Sequence, residues 1–275
     1  MPDDDAGRSG EPPQDTRGFA TRAIRAAHRV PRVDQRPTSV PIYQSVTFSA
    51  EDAAELGDVL LGRRSGYAYS RVANPTVDAL AAAVAELEGA EEGVAFATGM
   101  AAIHAAIVSL ASAGDRIVAT QASYGTTRSQ FASVLRRLGM TVDFVDVTDH
   151  GAVEAAVAAA PTRILYAETI ANPTIVVADH AALAAIAHRH GATYVVDNTF
   201  ASPYLCRPLE LGADLVVESA TKFISGHSDA MAGVVTGRRQ LIEPIRELQV
   251  DTGASLGPQA AALVLRGIAT LALRM

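Results

Sequence analysis

Cysteine is almost missing from this 275-residue chain, and the single one, Cys206, excludes an internal disulfide framework and any metal site built on several cysteines. Long apolar runs are missing too. Gly, Asp, Arg or Pro interrupts each run before the roughly 20 residues that a membrane helix needs, so no membrane partner is expected. No basic excess exists: Lys+Arg 23 against Asp+Glu 30 leaves a net charge of −7, and no basic cluster compensates. That balance argues against a nucleic-acid partner, which would need phosphate neutralisation. Met1 to Asp5 open the chain without an apolar signal-peptide core, so a cytoplasmic location is expected. No G-x-G-x-x-G and no G-K-[ST] occurs, which removes a nicotinamide-dependent dehydrogenase and a P-loop nucleotide site.

What is present is enough for a folded core. Hydrophobic residues make up 49%, which excludes disorder throughout, and the length allows one large core or two smaller ones. Residues 1–18 are the exception. They are polar and rich in Gly and Pro, and are expected to form a disordered tail. Residues 19–36 read as a short basic helix with Arg22, Arg25 and Arg29, ended by Pro31. Val40 to Phe48 reads as extended, and 51–61 as another helix.

From residue 74 the punctuation is regular. Asn74 suits an N-cap, Pro75 the first turn and Gly89 the position past a C-terminus, with Val77, Leu80, Val84 and Leu87 on one face. Strands at Gly93–Ala97, Arg116–Thr120, Thr141–Val147, Arg163–Glu168, Thr193–Asp197 and Leu215–Glu218 then alternate with helices at Met100–Ala111, Thr127–Leu138, Ala152–Ala160 and Ala181–His190. The strands that read as continuous apolar runs, such as Tyr194 to Val196 and Leu215 to Val217, imply burial on both faces. The fold class is therefore α/β, with a mainly parallel sheet covered by helices.

Ligands of such sheets gather at the carboxyl ends of the strands, where four polar signals stand. Thr98-Gly99-Met100 is a strand-to-helix junction whose free N–H groups suit an anion, although an ordinary turn with a useful glycine reads the same way. Asp197 ends a buried strand and needs a cation or hydrogen-bond donors; it can equally cap the turn at Asn198-Thr199. Lys222, among apolar residues and the hydroxyls of Ser219 and Thr221, is a Schiff-base candidate deep in the fold if it is not simply solvated. Gly226-His227-Ser228-Asp229 lacks a metal-ligand pattern and reads as loop-shaping. A lysine, an aspartate on the preceding strand, hydroxyls beside the lysine and a glycine–helix anion site together form the set that a pyridoxal phosphate pocket requires.

Several segments carry a more specific resemblance: Tyr67 to Arg71 with Asn74 to Thr76, Thr98 to Ile103, Tyr124-Gly125, Glu168-Thr169 with Asn172-Pro173, and Val196 to Phe200 with Ser202-Pro203. Ser219 to Lys222, Gly226 to Asp229, Arg266-Gly267 and Thr270 to Arg274 continue it. In these the chain resembles the Cys/Met-metabolism (transsulfuration) family of pyridoxal-phosphate enzymes. The resemblance implies a fold-type I transferase-like architecture with a seven-stranded sheet and an N-terminal arm. It divides the chain into the tail at 1–18, an arm at 19–65 that contributes to a neighbouring subunit, a cofactor-binding domain at 66–256, and the start of a C-terminal domain at 257–275.

The same resemblance implies residue roles. Lys222 holds the cofactor as an imine, Asp197 pairs with the ring nitrogen, Tyr124 stacks on the ring and Asn172 binds the ring hydroxyl. Gly99 and Met100, with Ser219 and Thr221, bind the phosphate, and Tyr69 and Arg71 reach the phosphate of a neighbouring subunit in a homodimer or homotetramer. Lys222, Tyr124 and Asp197 are the implied catalytic set. The implied reaction is γ- or β-replacement or elimination at a sulfur-containing or O-acylated amino acid.

Two departures stand out: Thr126 occupies a position where methionine γ-lyases usually carry Cys, and Ile170 replaces a familiar Pro. Family members continue into a C-terminal domain bearing the arginine for the substrate carboxylate, and no residue here takes that role. The alternative expectation is therefore a catalytically impaired fragment or assembly subunit that binds the cofactor and pairs with a complete homologue.

Overall fold

The computed structural model describes residues 37–275. The tail expected at 1–18 and the basic helix at 19–36 lie outside the described residues. Val40–Met275 form one compact unit.

Residues 40–48 carry no regular strand beyond an isolated bridge between Thr47 and Tyr69, and helix α1 follows at Ala53–Leu60. Helix α2 (Pro75–Glu88) starts where the Asn74 side chain accepts the Thr76 amide and ends at Gly89, whose φ of 73° is left-handed. Then come β1 (Glu92–Phe96), α3 (Gly99–Leu110), β2 (Arg116–Thr120) and α4 (Gly125–Ser129), which runs on into a π-helical segment at Gln130–Leu135. They are followed by β3 (Thr141–Val145), α5 (His150–Ala158), β4 (Ile164–Glu168), α6 (His180–Arg189), β5 (Thr193–Asp197), α7 (Ser202–Leu205) and β6 (Leu215–Glu218). The chain closes with β7 (Gly233–Gly237), α8 (Arg239–Thr252), α9 (Pro258–Ile268) and α10 (Leu271–Arg274).

The seven strands form one sheet in the order β1-β7-β6-β5-β4-β2-β3. Strands β3, β2, β4, β5 and β6 pair in parallel, while β7 runs antiparallel to both β6 and β1. Side chains alternate between two cores. Ile117, Ile164, Tyr166, Val195 and Val217 face α3 and α8, and Val118, Leu165, Tyr194, Val196 and Val216 face α5 and α6. A further cluster packs Val77, Leu80 and Val84 of α2 with Ala261 and Val264 of α9 over β1 and β7. At about 1.5–3 kcal/mol for each large apolar side chain buried, these layers supply the driving force that fixes the strand ends. Sequence and structure differ at β7, α8 and α9, which the periodicity left unassigned. Glycines bound β7, and Pro244 lies inside α8, where a proline ordinarily breaks a helix.

Strand order also places the site. From β2 the chain moves outward to β3, whereas from β4 it moves the other way to β5, so the loops after β2 and β4 diverge and open a crevice at the strands' carboxyl ends.

Candidate active site

That crevice is a cavity of about 350 Å³. Its wall takes Gly99 and Met100 from the start of α3, Tyr124 from the loop after β2, and Glu168 and Asn172 from the end of β4 and beyond. Asp197 closes β5 on the same wall, and Ser219, Thr221 and Lys222 follow β6. A wider outer cavity of about 810 Å³ shares Asn172, Thr221 and Lys222 and adds Ser228 and Asp229. Eight of the ten site residues expected from the sequence thus meet in one place.

The α3 end is shaped for an anion. The Thr98 hydroxyl accepts the Ala101 amide and its carbonyl accepts the Ala102 amide, which leaves the Gly99 and Met100 N–H groups without an intrahelical acceptor at the wall. Gly99 permits this because a Cβ there would lie 2.7 Å from Ser219 Oγ, so the two segments touch backbone to side chain. The Thr221 hydroxyl is already engaged with the backbone of Ala232, accepting its N–H at 3.0 Å and donating to its carbonyl at 3.1 Å.

Acids line the cavity as well. Asp197 Oδ1 accepts the Thr199 amide at 3.0 Å and Oδ2 accepts the Tyr166 hydroxyl at 3.3 Å. Asp197 therefore caps the turn through one oxygen while the residue also lines the cavity. Burial pushes the Asp197 carboxyl up against the opposing pull of those bonds, and no cation among the described residues pairs with it. Glu168 sits in register with Asp197 on the neighbouring strand, its two oxygens accepting the backbone N–H of Tyr124 at 2.6 Å and of Asn172 at 3.2 Å. Burial, then the Asp197 charge, pushes its carboxyl up to about 7. Behind them, Glu218 is buried, and burial with the charge of Glu88 holds its carboxyl well above the usual range.

Lys222 lies on a tight turn rather than deep in the fold. Its side chain is exposed in this chain, at the neck joining the two cavities. Lys222 N–H donates to the Ser219 carbonyl at 3.0 Å and Gly226 N–H to the Lys222 carbonyl at 2.8 Å. From α10, Arg274 donates to the carbonyls of Phe223, Ile224 and Gly267 and holds the turn from below. Gly226, at φ 71°, lies directly over that guanidinium, where a Cβ would collide with Arg274 Nη1. The stretch 226–229 does shape this loop: His227 Nδ1 bonds the Ser225 carbonyl, and Asp229 pairs with Arg266 at 3.0 Å.

Tyr69 and Arg71 do not line the cavity. Arg71 donates to the Val250 carbonyl at 2.5 Å, and its guanidinium lies 5.5 Å from the Tyr69 ring centroid. Sequence reasoning passed over Glu168, Phe200 and Asn198 as individual residues. Phe200 lines both cavities, and Asn198 links the Thr169 hydroxyl, Glu88 and the Cys206 carbonyl. An acid closing each of β4, β5 and β6 was the signal available for Glu168.

Known proteins share this arrangement of chain. The chain is 45% identical over 260 residues to the L-methionine gamma-lyase of Pseudomonas putida, a match covering 94% of this chain and 65% of that protein. The crystal structure of cystathionine gamma-lyase from Lactobacillus plantarum complexed with L-serine superposes with a TM-score of 0.80 at 43% identity, covering 86% of this chain and 60% of that one. A putative O-acetylhomoserine (thiol)-lyase from Campylobacter jejuni, solved with a pyridoxyl-lysine phosphate, gives a TM-score of 0.82 at 30% identity, covering 87% of this chain and 68% of that one. The chain spans about 65% of the length of the Pseudomonas putida relative. The family model described as Cys/Met metabolism PLP-dependent enzyme matches residues 20–275, and with PLP standing for pyridoxal phosphate, that is the family to which this chain belongs.

Proposed function

We propose that this chain binds pyridoxal phosphate at the strand-end cavity and uses it for γ- or β-replacement or elimination at a sulfur-containing or O-acylated amino acid. The observation that carries the reading is the presence of Lys222 and Asp197 on one cavity wall with the Gly99 and Met100 amides. The donor set suits the group. Two free amides beside the Ser219 hydroxyl match a phosphate, and a buried carboxylate without a paired cation matches a protonated ring nitrogen. When bound, the cofactor supplies an electron-withdrawing ring that stabilises negative charge at the substrate Cα.

The chain's own residues do the rest. Asp197, ionised, holds the proton at the ring nitrogen. Lys222 would hold the cofactor through Nζ and, with its amine free, would move a proton from the substrate Cα. Tyr124 would stack on the ring and its hydroxyl would protonate a departing group, while Asn172 would bind the ring hydroxyl; Ser219 would complete the phosphate end, joined by Thr221 once its hydroxyl turned from the Ala232 carbonyl. Tyr69 and Arg71 serve the phosphate of a neighbouring subunit, which makes the working unit at least a homodimer and extends to a homotetramer. Residues 66–256 form the cofactor-binding domain, and of the expected arm the described residues 37–65 reach toward that neighbour. The cytoplasm is the location that fits this chemistry.

The test is spectroscopic. The chain loaded with pyridoxal phosphate absorbs in the visible, and Lys222→Ala removes both the band and turnover; an unchanged spectrum in the variant overturns the reading. A panel of O-acylhomoserines with cysteine, cystathionine and methionine, scored for 2-oxobutanoate, pyruvate or thioether, then identifies the substrate.

A further inference from the structure

Tyr124 and Asn172 stand on separate loops, after β2 and after β4, and both face the cavity. Among the described residues no hydrogen bond holds either side chain; the backbones are what is held. One carboxylate does it, Glu168 Oε1 taking the Tyr124 N–H at 2.6 Å and Oε2 the Asn172 N–H at 3.2 Å. We propose that Glu168 is a positioning residue whose carboxylate ties these two loops across the crevice and so sets the Tyr124 ring and the Asn172 amide against the bound cofactor. The role assigned to those two side chains rests on the function proposed above; the tie between their backbones does not.

The chemistry explains why an acid stands there. Two N–H donors converge from different loops, and only a carboxylate offers an acceptor to each. A glutamine in the same volume would satisfy one and turn its own NH2 toward the other. Glu168 is 5% exposed, so an unmade bond at this point is not replaced by bulk water. Its position at the last rung of β4, in register with Asp197, aims both carboxylates from the same sheet face into the cavity.

The arrangement also carries a pH signature. Facing Glu168 are Asp197 from β5, the Tyr166 hydroxyl from its own strand and Tyr124 from the β2 loop, and Lys222 from the turn after β6 lines the same cavity. Burial and the Asp197 charge set the Glu168 carboxyl to about 7. Below that pH one oxygen carries a proton and no longer accepts, so one loop is released. Cofactor binding favours the ionised form, and its affinity therefore falls as pH drops through the pKa of the free carboxyl.

Two measurements test the proposal on the full chain. In the cofactor-free protein, Glu168→Gln speeds amide hydrogen exchange by about tenfold or more at whichever of Tyr124 and Asn172 meets the new NH2, the effect of losing a bond to a charged acceptor. In pyridoxal phosphate titrations followed by absorbance, the variant binds about tenfold more weakly than wild type at about pH 8, and the ratio shrinks toward one at about pH 6. Exchange unchanged at both amides overturns the tie whether or not the cofactor binds. Unchanged affinity, or a ratio constant with pH, overturns the positioning role while leaving the proposed function intact. Should Glu168→Gln fail to fold, Glu168→Asp keeps the charge one methylene short. It is expected to bind weakly with the pH trend retained, and wild-type affinity in it overturns the proposal.

Discussion

Gly99 packs against Ser219 so closely that a Cβ on the glycine would lie 2.6 Å from the serine Cβ. The first turn of α3 and the loop after β6 are thereby locked together at the anion end of the cavity. Gly99→Ala is expected to destabilise the chain by about 1–3 kcal/mol through overpacking, and to weaken phosphate binding more than that loss accounts for. Urea unfolding of the cofactor-free protein, set beside pyridoxal phosphate titration, separates the two effects.

Asp197 shares its oxygens between the Thr199 amide and the Tyr166 hydroxyl. Asp197→Asn keeps the shape and removes a buried charge. The raised carboxyl means that wild type holds its full contribution below the ordinary aspartate pKa of 3.8 and loses it as pH rises through the higher folded value. The variant is accordingly expected to be no less stable than wild type near neutral pH in the cofactor-free form, yet to lose most turnover. A variant both destabilised and active contradicts the counter-ion role.

His180 predicts the opposite pH sign. Its ring joins the Tyr194 hydroxyl at 2.7 Å and the Thr169 hydroxyl at 2.9 Å, and burial lowers its pKa from 6.5 to about 4. Thr169 donates onward to Asn198 Oδ1, which assigns Nε2–H of His180 as donor and Nδ1 as acceptor from Tyr194. A depressed base contributes stability that is full above 6.5 and is lost as pH falls toward 4, on the order of 3 kcal/mol here. His180→Gln has no proton to gain, so its unfolding free energy should fall less than that of wild type between those pH values.

Arg274 donates to the carbonyls of the two residues following Lys222. Arg274→Ala removes these charge-assisted bonds, at about 1–3 kcal/mol, and should speed exchange of the amides in the 222–226 turn and of the bound cofactor. Equal exchange rates in variant and wild type would show that the turn holds itself.

Arg71 and Lys222 belong to different pockets of one chain. If neighbouring subunits share a site, Arg71→Ala and Lys222→Ala chains are each inactive, whereas co-refolded mixtures regain part of the turnover. Mixtures as inactive as the separate chains contradict sharing.

Local physics decides how much of this was legible in the sequence. Strands β2, β5 and β6 stand at the bounds that apolar runs indicate, because polar residues bracket the buried runs: Arg116 and Thr120, Thr193 and Asp197, and Glu218 after Leu215 to Val217. Asn74 and Gly89 marked α2 for the same local reason. Strand β7 did not announce itself, since its flanking glycines read as turns, and Pro244 concealed α8. At the site, residue type together with position at the strand ends singled out Lys222 and Asp197. The use of Glu168 depends on two amides from distant loops, and the exposure of Lys222 depends on how the outer cavity opens; neither is a property of neighbouring letters.

The two cavities share Asn172, Phe200, Thr221, Lys222 and Met231 and differ in what each adds. Most of the inner wall comes from strand ends clamped by the sheet, whereas Ser228, Asp229 and Ala230, which line the outer cavity alone, belong to a connecting loop. Exchanging that loop would recut the entrance for a bulkier or more polar guest while the electronic machinery beneath stayed as it was. Diversification of this scaffold toward new guests thus has a natural seam, running between residues that conduct the chemistry and residues that choose what reaches it.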